Sequence, residues 1–114
     1  MTWGRYMEGE SELLAAVKGL DPTVQQMLAE DLPIQLGAAK TAFAANDSQA
    51  AIDAVHGLAG TAAFCKFPAL KEVADATESD LHAGTSPAAL ADSLHALERS
   101  VTDILDLLSG NSHD

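Results

Sequence analysis

The feature that most constrains the fold of this 114-residue chain is a helical repeat of apolar residues in four successive stretches. Within each stretch the apolar residues stand three or four positions apart, the spacing of one face of an α-helix. Two of the stretches begin with a capping residue followed by proline, at Asp21-Pro22 and Ser86-Pro87. That pair is typical of a helix start, because proline fits the first helical position. The pattern predicts helices joined by short turns.

The predicted helices occupy, with approximate bounds, residues 11–20, 21–45, 50–67, 68–83 and 86–108. Asn46-Asp47-Ser48 supplies the cap of the third helix, and Pro68 separates it from the fourth. Pro33 lies inside the second helix, where it predicts a bend in one continuous helix. Four long amphipathic helices with short connections predict an all-α fold. The expected architecture is an up-down antiparallel four-helix bundle with a short extra N-terminal helix.

The length and composition suit one domain spanning residues 1–114, with 1–10 and 109–114 as tails. The formal net charge of −11 argues against binding to nucleic acid or to an anionic membrane surface, and it permits a basic partner. No apolar run is long enough to span a membrane, so no membrane insertion is expected. The acidic N-terminus does not resemble a secretory signal, which favours the cytoplasm.

The stretch 50–67 contains His56 at the edge of an apolar stripe. The ring can therefore pack partly and still reach solvent. Gly57 and Gly60 flank it, and each glycine costs about 1 kcal/mol relative to alanine inside a helix. Such a cost suggests that either a partner or a neighbouring helix approaches the backbone closely, and the helical wheel alone leaves both explanations open. We call the small-residue surface around His56 the docking face; it comprises Gly57, Ala59, Gly60, Ala63 and Phe64.

The segment His56-Gly57-Leu58-Ala59-Gly60-Thr61-Ala62 resembles the H-x-L-K-G-(S/T)-A signature of histidine-containing phosphotransfer (HPt) domains. These are four-helix-bundle intermediates of bacterial phosphorelays, and the resemblance in helix spacing covers approximately residues 20–108. It implies that His56 accepts a phosphoryl group from a receiver-domain aspartate and passes it to another receiver domain. The chain would then be a monomeric phosphotransfer protein with a phosphohistidine intermediate, rather than a stand-alone catalyst.

The resemblance also implies the partners, namely a response-regulator receiver domain and a hybrid sensor histidine kinase. The chain itself would bind no cofactor, and Mg²⁺ would be held by the receiver domain. Imidazole suits this chemistry because it is largely neutral near pH 7, so that one ring nitrogen can attack while the other keeps its proton. No histidine and carboxylate spacing indicates a metal site in this chain.

Ala59 departs from the family pattern, which has lysine three residues after the histidine. Lys66 and Lys71 are the remaining candidates for neutralising the phosphoryl charge, although neither stands at the lysine position. The departure keeps a second interpretation open. The chain could be a helical interaction module that binds a receiver or kinase domain through the docking face without being phosphorylated. It could also be a fragment of a hybrid sensor kinase, which would change the context but not the chemistry.

Overall fold

The structure is a computed structural model that describes residues 12–110. The predicted N-terminal tail and residues 111–114 lie outside this range. All regular secondary structure within it is helical, which confirms the all-α prediction. The elements are α1 (residues 12–18), α2 (Pro22–Ala44), α3 (Ser48–Cys65), α4 (Pro68–His82), a 3₁₀ turn (Pro87–Leu90) and α5 (Ala91–Ser109).

The four long helices form a bundle in which each one packs against two others. α3 lies between α2 and α4, and α5 closes the bundle by contacting both α2 and α4. Short connections make consecutive helices antiparallel. The core is apolar and draws on every helix, and α1 contributes Val17 to it. Its largest fully buried side chains include Leu28, Leu32, Leu58, Phe67, Leu70, Leu97 and Ile104.

The first two long helices begin where their capping residues predict. The Asp21 carboxylate accepts the Thr23 backbone N–H at 3.0 Å, and the Asp47 carboxylate accepts that of Ala50 at 3.1 Å. Each bond satisfies a backbone donor that has no partner within the helix. α2 continues through Pro33, so the prediction of one helix rather than two is confirmed.

The last helix does not begin as predicted. Ser86-Pro87 opens a 3₁₀ turn, and α5 starts only at Ala91, after Leu90 departs from helical geometry (φ −109°, ψ 30°). The Ser86 side chain makes no capping bond. Asn46, in the turn between α2 and α3, supplies the cap of this 3₁₀ turn instead, because its side-chain oxygen accepts the Ala88 backbone N–H at 3.2 Å. A cap that comes from a distant turn replaces the local one.

The turn between α3 and α4 positions the two helices that carry the candidate site. α3 ends at Cys65, and Lys66 follows in the left-handed region (φ 61°). This conformation lets the Phe67 N–H bond the Ala62 carbonyl at 2.8 Å, as at many helix ends. Phe67 is buried, so the turn is anchored in the core. α4 then runs back alongside α3.

Candidate functional site

His56 lies near the middle of α3 on the outer side of the bundle. Its neighbours Val55 and Leu58 are fully buried, whereas the His56 side chain is 74% exposed. The helical periodicity produces this contrast, because a step of one residue turns the side chain by about 100°. The predicted position of His56, at the edge of the apolar stripe and open to solvent, is confirmed.

The side chain that contacts His56 is Glu78 on α4. The His56 Nδ1 atom lies 3.1 Å from Glu78 Oε2 and 3.3 Å from Oε1. The Glu78 side chain is only 20% exposed, so α4 packing holds it in place beside the ring. Sequence reasoning missed this contact. The sequence does contain an indication of it. Residues 56 and 78 are equally distant along the chain from the turn at Phe67, and two antiparallel helices place such residues side by side.

The contact with Glu78 defines how the imidazole can react. An ionised carboxylate can only accept hydrogen bonds, so His56 donates its Nδ1–H to Glu78. In the neutral ring the proton on Nδ1 leaves Nε2 with a free lone pair. Because the ring is largely exposed and Nδ1 is engaged with Glu78, Nε2 is the nitrogen available to an incoming group. The arrangement is that of an oriented nucleophile on a solvent-accessible surface.

A second histidine shares the same carboxylate. His82 Nε2 lies 3.4 Å from Glu78 Oε2, the oxygen that is also closest to His56. Glu78 and His82 are four residues apart on α4, a spacing that places side chains next to each other on a helix. The sequence indicates this pair, but its proximity to His56 follows only from the packing of α4 against α3.

The docking face is only partly exposed. Gly60, Ala63 and Phe64 are exposed, and Gly57 is half-buried. Ala59 is 7% exposed and belongs to the core cluster, so including it in an accessible docking face was wrong. The wheel places Ala59 at the margin of the apolar stripe, where the actual packing decides exposure. We refer below to Gly60, Ala63 and Phe64 as the exposed docking face.

The two glycines differ in their surroundings. A Cβ added to Gly60 would meet nothing within 4 Å, so no neighbouring helix in the described structure requires a glycine there. A Cβ on Gly57 would touch only the side-chain nitrogen of Gln35, at an ordinary contact distance of 3.8 Å. Of the two explanations for these glycines, close helix packing fails at Gly60.

Gln35 and Thr61 fix α2 against α3 beside the site. The Thr61 hydroxyl lies 3.0 Å from the Gln35 amide nitrogen and 3.2 Å from its amide oxygen. Thr61 occupies the serine or threonine position of the motif. Its hydroxyl therefore serves as an interhelix contact that holds the α3 backbone in place one turn after Gly57.

The structure brings neither candidate lysine to His56. Lys66 follows the last residue of α3 as its C-cap, and Lys71 pairs with Asp75 one turn further along α4. Over residues 12–110, no lysine or arginine forms an ion pair with Glu78, the carboxylate beside His56. The same residues contain no group of three histidine, cysteine or acidic side chains able to hold a metal ion. None of the described helices is long and apolar enough to cross a membrane.

Comparison with known proteins agrees with this geometry. The family model of the Hpt domain matches residues 23–108, most of the chain, and the protein therefore belongs to the Hpt domain family. Membership in the family gives it a general role in histidine phosphotransfer within phosphorelays. Comparison with curated proteins finds no match.

A solved structure shares the fold. The HPT domain of an Hpt sensor hybrid histidine kinase from Shewanella aligns with a TM-score of 0.71 at 23% sequence identity. The alignment covers 77% of this chain and 75% of that one. The match shows that the helical bundle is the HPt fold, independently of the short motif around His56.

Proposed function

We propose that the protein is a phosphorelay intermediate that accepts a phosphoryl group on His56 Nε2 from the aspartyl phosphate of one receiver domain and passes it to the aspartate of another. The observation that carries this proposal is the exposed His56 ring whose Nδ1–H is held by Glu78. Membership in the Hpt family supports the general role. A receiver of a hybrid sensor histidine kinase is the donor that the family resemblance suggests.

In the forward step, the Nε2 lone pair attacks phosphorus, the bond between phosphorus and the aspartyl oxygen breaks, and the aspartate leaves as a carboxylate. His56 becomes a phosphoimidazolium, because Nδ1 keeps its proton. Throughout the reaction the proton stays on Nδ1 and Glu78 accepts a hydrogen bond from it. The negative charge of Glu78 stabilises the positively charged ring. The second transfer is the reverse reaction with another aspartate. Mg²⁺ on the receiver domain would offset the charge of the phosphoryl oxygens.

The exposed docking face and its neighbours on α2 support a protein partner of this kind. Phe64 is 71% exposed and Ile34 on α2 is 70% exposed, which is unusual for large apolar side chains. The hydrogen bond between Gln35 and Thr61 places this part of α2 beside α3. Small and apolar exposed residues next to the nucleophile suit an interface that excludes water around the transferring group. The proposal treats the protein as a cytoplasmic monomer.

A second candidate function is binding without phosphorylation. The observation that favours it is that residue 59 is a buried alanine and that no lysine or arginine forms an ion pair with Glu78 in the described residues. A phosphoryl group on His56 would then lie near the Glu78 carboxylate, and residue 59 would supply no cation to offset the negative charge. Such a module would use the exposed docking face to occupy a receiver or kinase domain and block other partners.

Transfer from a phosphorylated receiver distinguishes the two functions. A receiver domain labelled on its aspartate is mixed with the protein in Mg²⁺, and the label is followed by gel separation under alkaline conditions that preserve phosphohistidine. The proposal predicts acid-labile label on the wild type. His95→Gln is the matched control, since His95 is an exposed helix histidine on α5, and it should be labelled normally. Tight binding without any label would favour the unphosphorylated module.

A further inference from the structure

The unusual feature of the site is that one carboxylate serves two imidazoles. Glu78 Oε2 lies 3.1 Å from His56 Nδ1 and 3.4 Å from His82 Nε2. Glu78 is the least exposed of the three side chains, and both rings project further into solvent. His56 and His82 are therefore coupled through Glu78. Any change in the charge at His82 alters the carboxylate that holds the nucleophile.

Phosphorylation of His56 creates an excess of negative charge. The phosphoryl group brings about two negative charges, the imidazolium offsets one, and Glu78 adds another. Two lysines are occupied elsewhere, because Lys40 pairs with Glu98 and Lys71 pairs with Asp75. Within the described residues, His82 is the only cationic or potentially cationic side chain in ion-pair contact with Glu78, apart from His56 itself.

Resting on the proposed function, we infer that His82, acting through Glu78, supplies the positive charge that balances the phosphorylated His56 site. His82 is the last residue of α4, one turn after Glu78 on the same side of the helix. A protonated His82 neutralises Glu78, so that Glu78 can hold the His56 Nδ1–H without repelling the phosphoryl group. His82 is a positioning residue, since it contacts Glu78 and not the reacting atoms.

Phosphoramidate tests this inference without a protein partner. Its P–N bond breaks, a bond forms between phosphorus and His56 Nε2, and ammonia leaves. The rate of phosphohistidine formation is measured by ³¹P NMR at about pH 6, 7 and 8, because a free imidazole changes from mostly protonated to mostly neutral over that range, and each variant is compared with the wild type at the same pH. We expect His82→Gln to slow the reaction about threefold, because an exposed charge pair contributes modestly. His82→Arg keeps a positive charge and should react at least as fast as the wild type.

The dependence on Glu78 is tested by combining substitutions. In a Glu78→Gln background there is no carboxylate charge to neutralise, so adding His82→Gln should change the rate by less than about 1.5-fold. His95→Gln is the control for loss of an exposed histidine and should react like the wild type.

The possible failures are distinguishable. If His82→Gln matches the wild type, or if His82→Arg is as slow as His82→Gln, the inference about charge is wrong while the proposed function stands. If the full threefold effect persists in the Glu78→Gln background, His82 does not act through Glu78, and the inference is again wrong. If the wild type forms no phosphohistidine with phosphoramidate, the same variants are compared by transfer from a labelled receiver domain; if that transfer also fails, the proposed function fails and the inference fails with it.

Discussion

Replacing Glu78 separates the two effects that its carboxylate can have on His56. Glu78→Gln removes the charge and keeps an oxygen that accepts the Nδ1–H, whereas Glu78→Leu removes the acceptor as well. Glu78 lies 3.1 Å from Nδ1, and a phosphorus atom on Nε2 lies across the ring at about twice that distance. Of the two groups that Glu78 affects, the Nδ1 proton is therefore closer to the Glu78 carboxylate, and the phosphoryl group carries the larger charge.

The magnitudes decide which variant should be slower. Under the inference above, His82 Nε2, which lies 3.4 Å from Glu78 Oε2, offsets most of the carboxylate charge, so that charge has little net effect on the phosphorylated ring. The directional hydrogen bond then remains as the net effect. A hydrogen bond to a charged group contributes about 1.5–3 kcal/mol, and the 74% exposure of His56 reduces it to about 1 kcal/mol. That corresponds to about fivefold in rate.

We therefore expect Glu78→Gln to transfer phosphoryl groups within about twofold of the wild-type rate and Glu78→Leu to be about fivefold slower. The assay is single-turnover transfer from a labelled receiver domain. Glu72→Leu is the matched control, because Glu72 is an exposed carboxylate on the same helix, and it should leave the rate unchanged. A Glu78→Leu variant as fast as the wild type would refute a role for the hydrogen bond. A Glu78→Gln variant as slow as Glu78→Leu would show that charge is the dominant effect.

Three further substitutions test the core and the surface. Leu97→Ala removes a fully buried side chain and should lower the free energy of unfolding by about 2–5 kcal/mol in urea titration; a loss below about 0.5 kcal/mol would contradict its central position. Gly60→Leu has room for its Cβ, so it should fold normally and weaken receiver binding by about tenfold or more in calorimetry; unchanged affinity would exclude the exposed docking face. Ala59→Lys adds a long side chain at a buried position and should cost about 1–3 kcal/mol of stability; unchanged stability would show that the lysine extends freely to water.

The parts of the fold that sequence alone predicts are those set by local interactions. Asp21 and Asp47 cap their helices through bonds to residues two and three positions away, so their positions can be read directly from the sequence. The start of the last helix could not be predicted in this way. Asn46 bonds Ala88 across 42 residues, and no local pattern indicates that such a cap will replace Ser86.

The same distinction applies to the site. The exposure of His56 follows from the period of α3, because its neighbours Val55 and Leu58 define the buried side. Glu78 depends on how α4 lies against α3, which is set by the turn at Phe67 and by core packing. Ala59 stands at the margin of the stripe, where a small rotation of the helix decides between core and surface. The sequence therefore predicts that His56 is exposed but does not predict the carboxylate that contacts it.

The most direct test of the account is to locate the phosphoryl group on the protein. The wild type is phosphorylated by a labelled receiver domain, and the modified residue is identified by tandem mass spectrometry, with NMR of the imidazole distinguishing Nε2 from Nδ1. We predict one phosphoryl group on His56 Nε2, and no label on a His56→Gln variant that retains the helical fold by circular dichroism. Label that persists in His56→Gln, or that lies on Nδ1 of His56, would contradict the central claim.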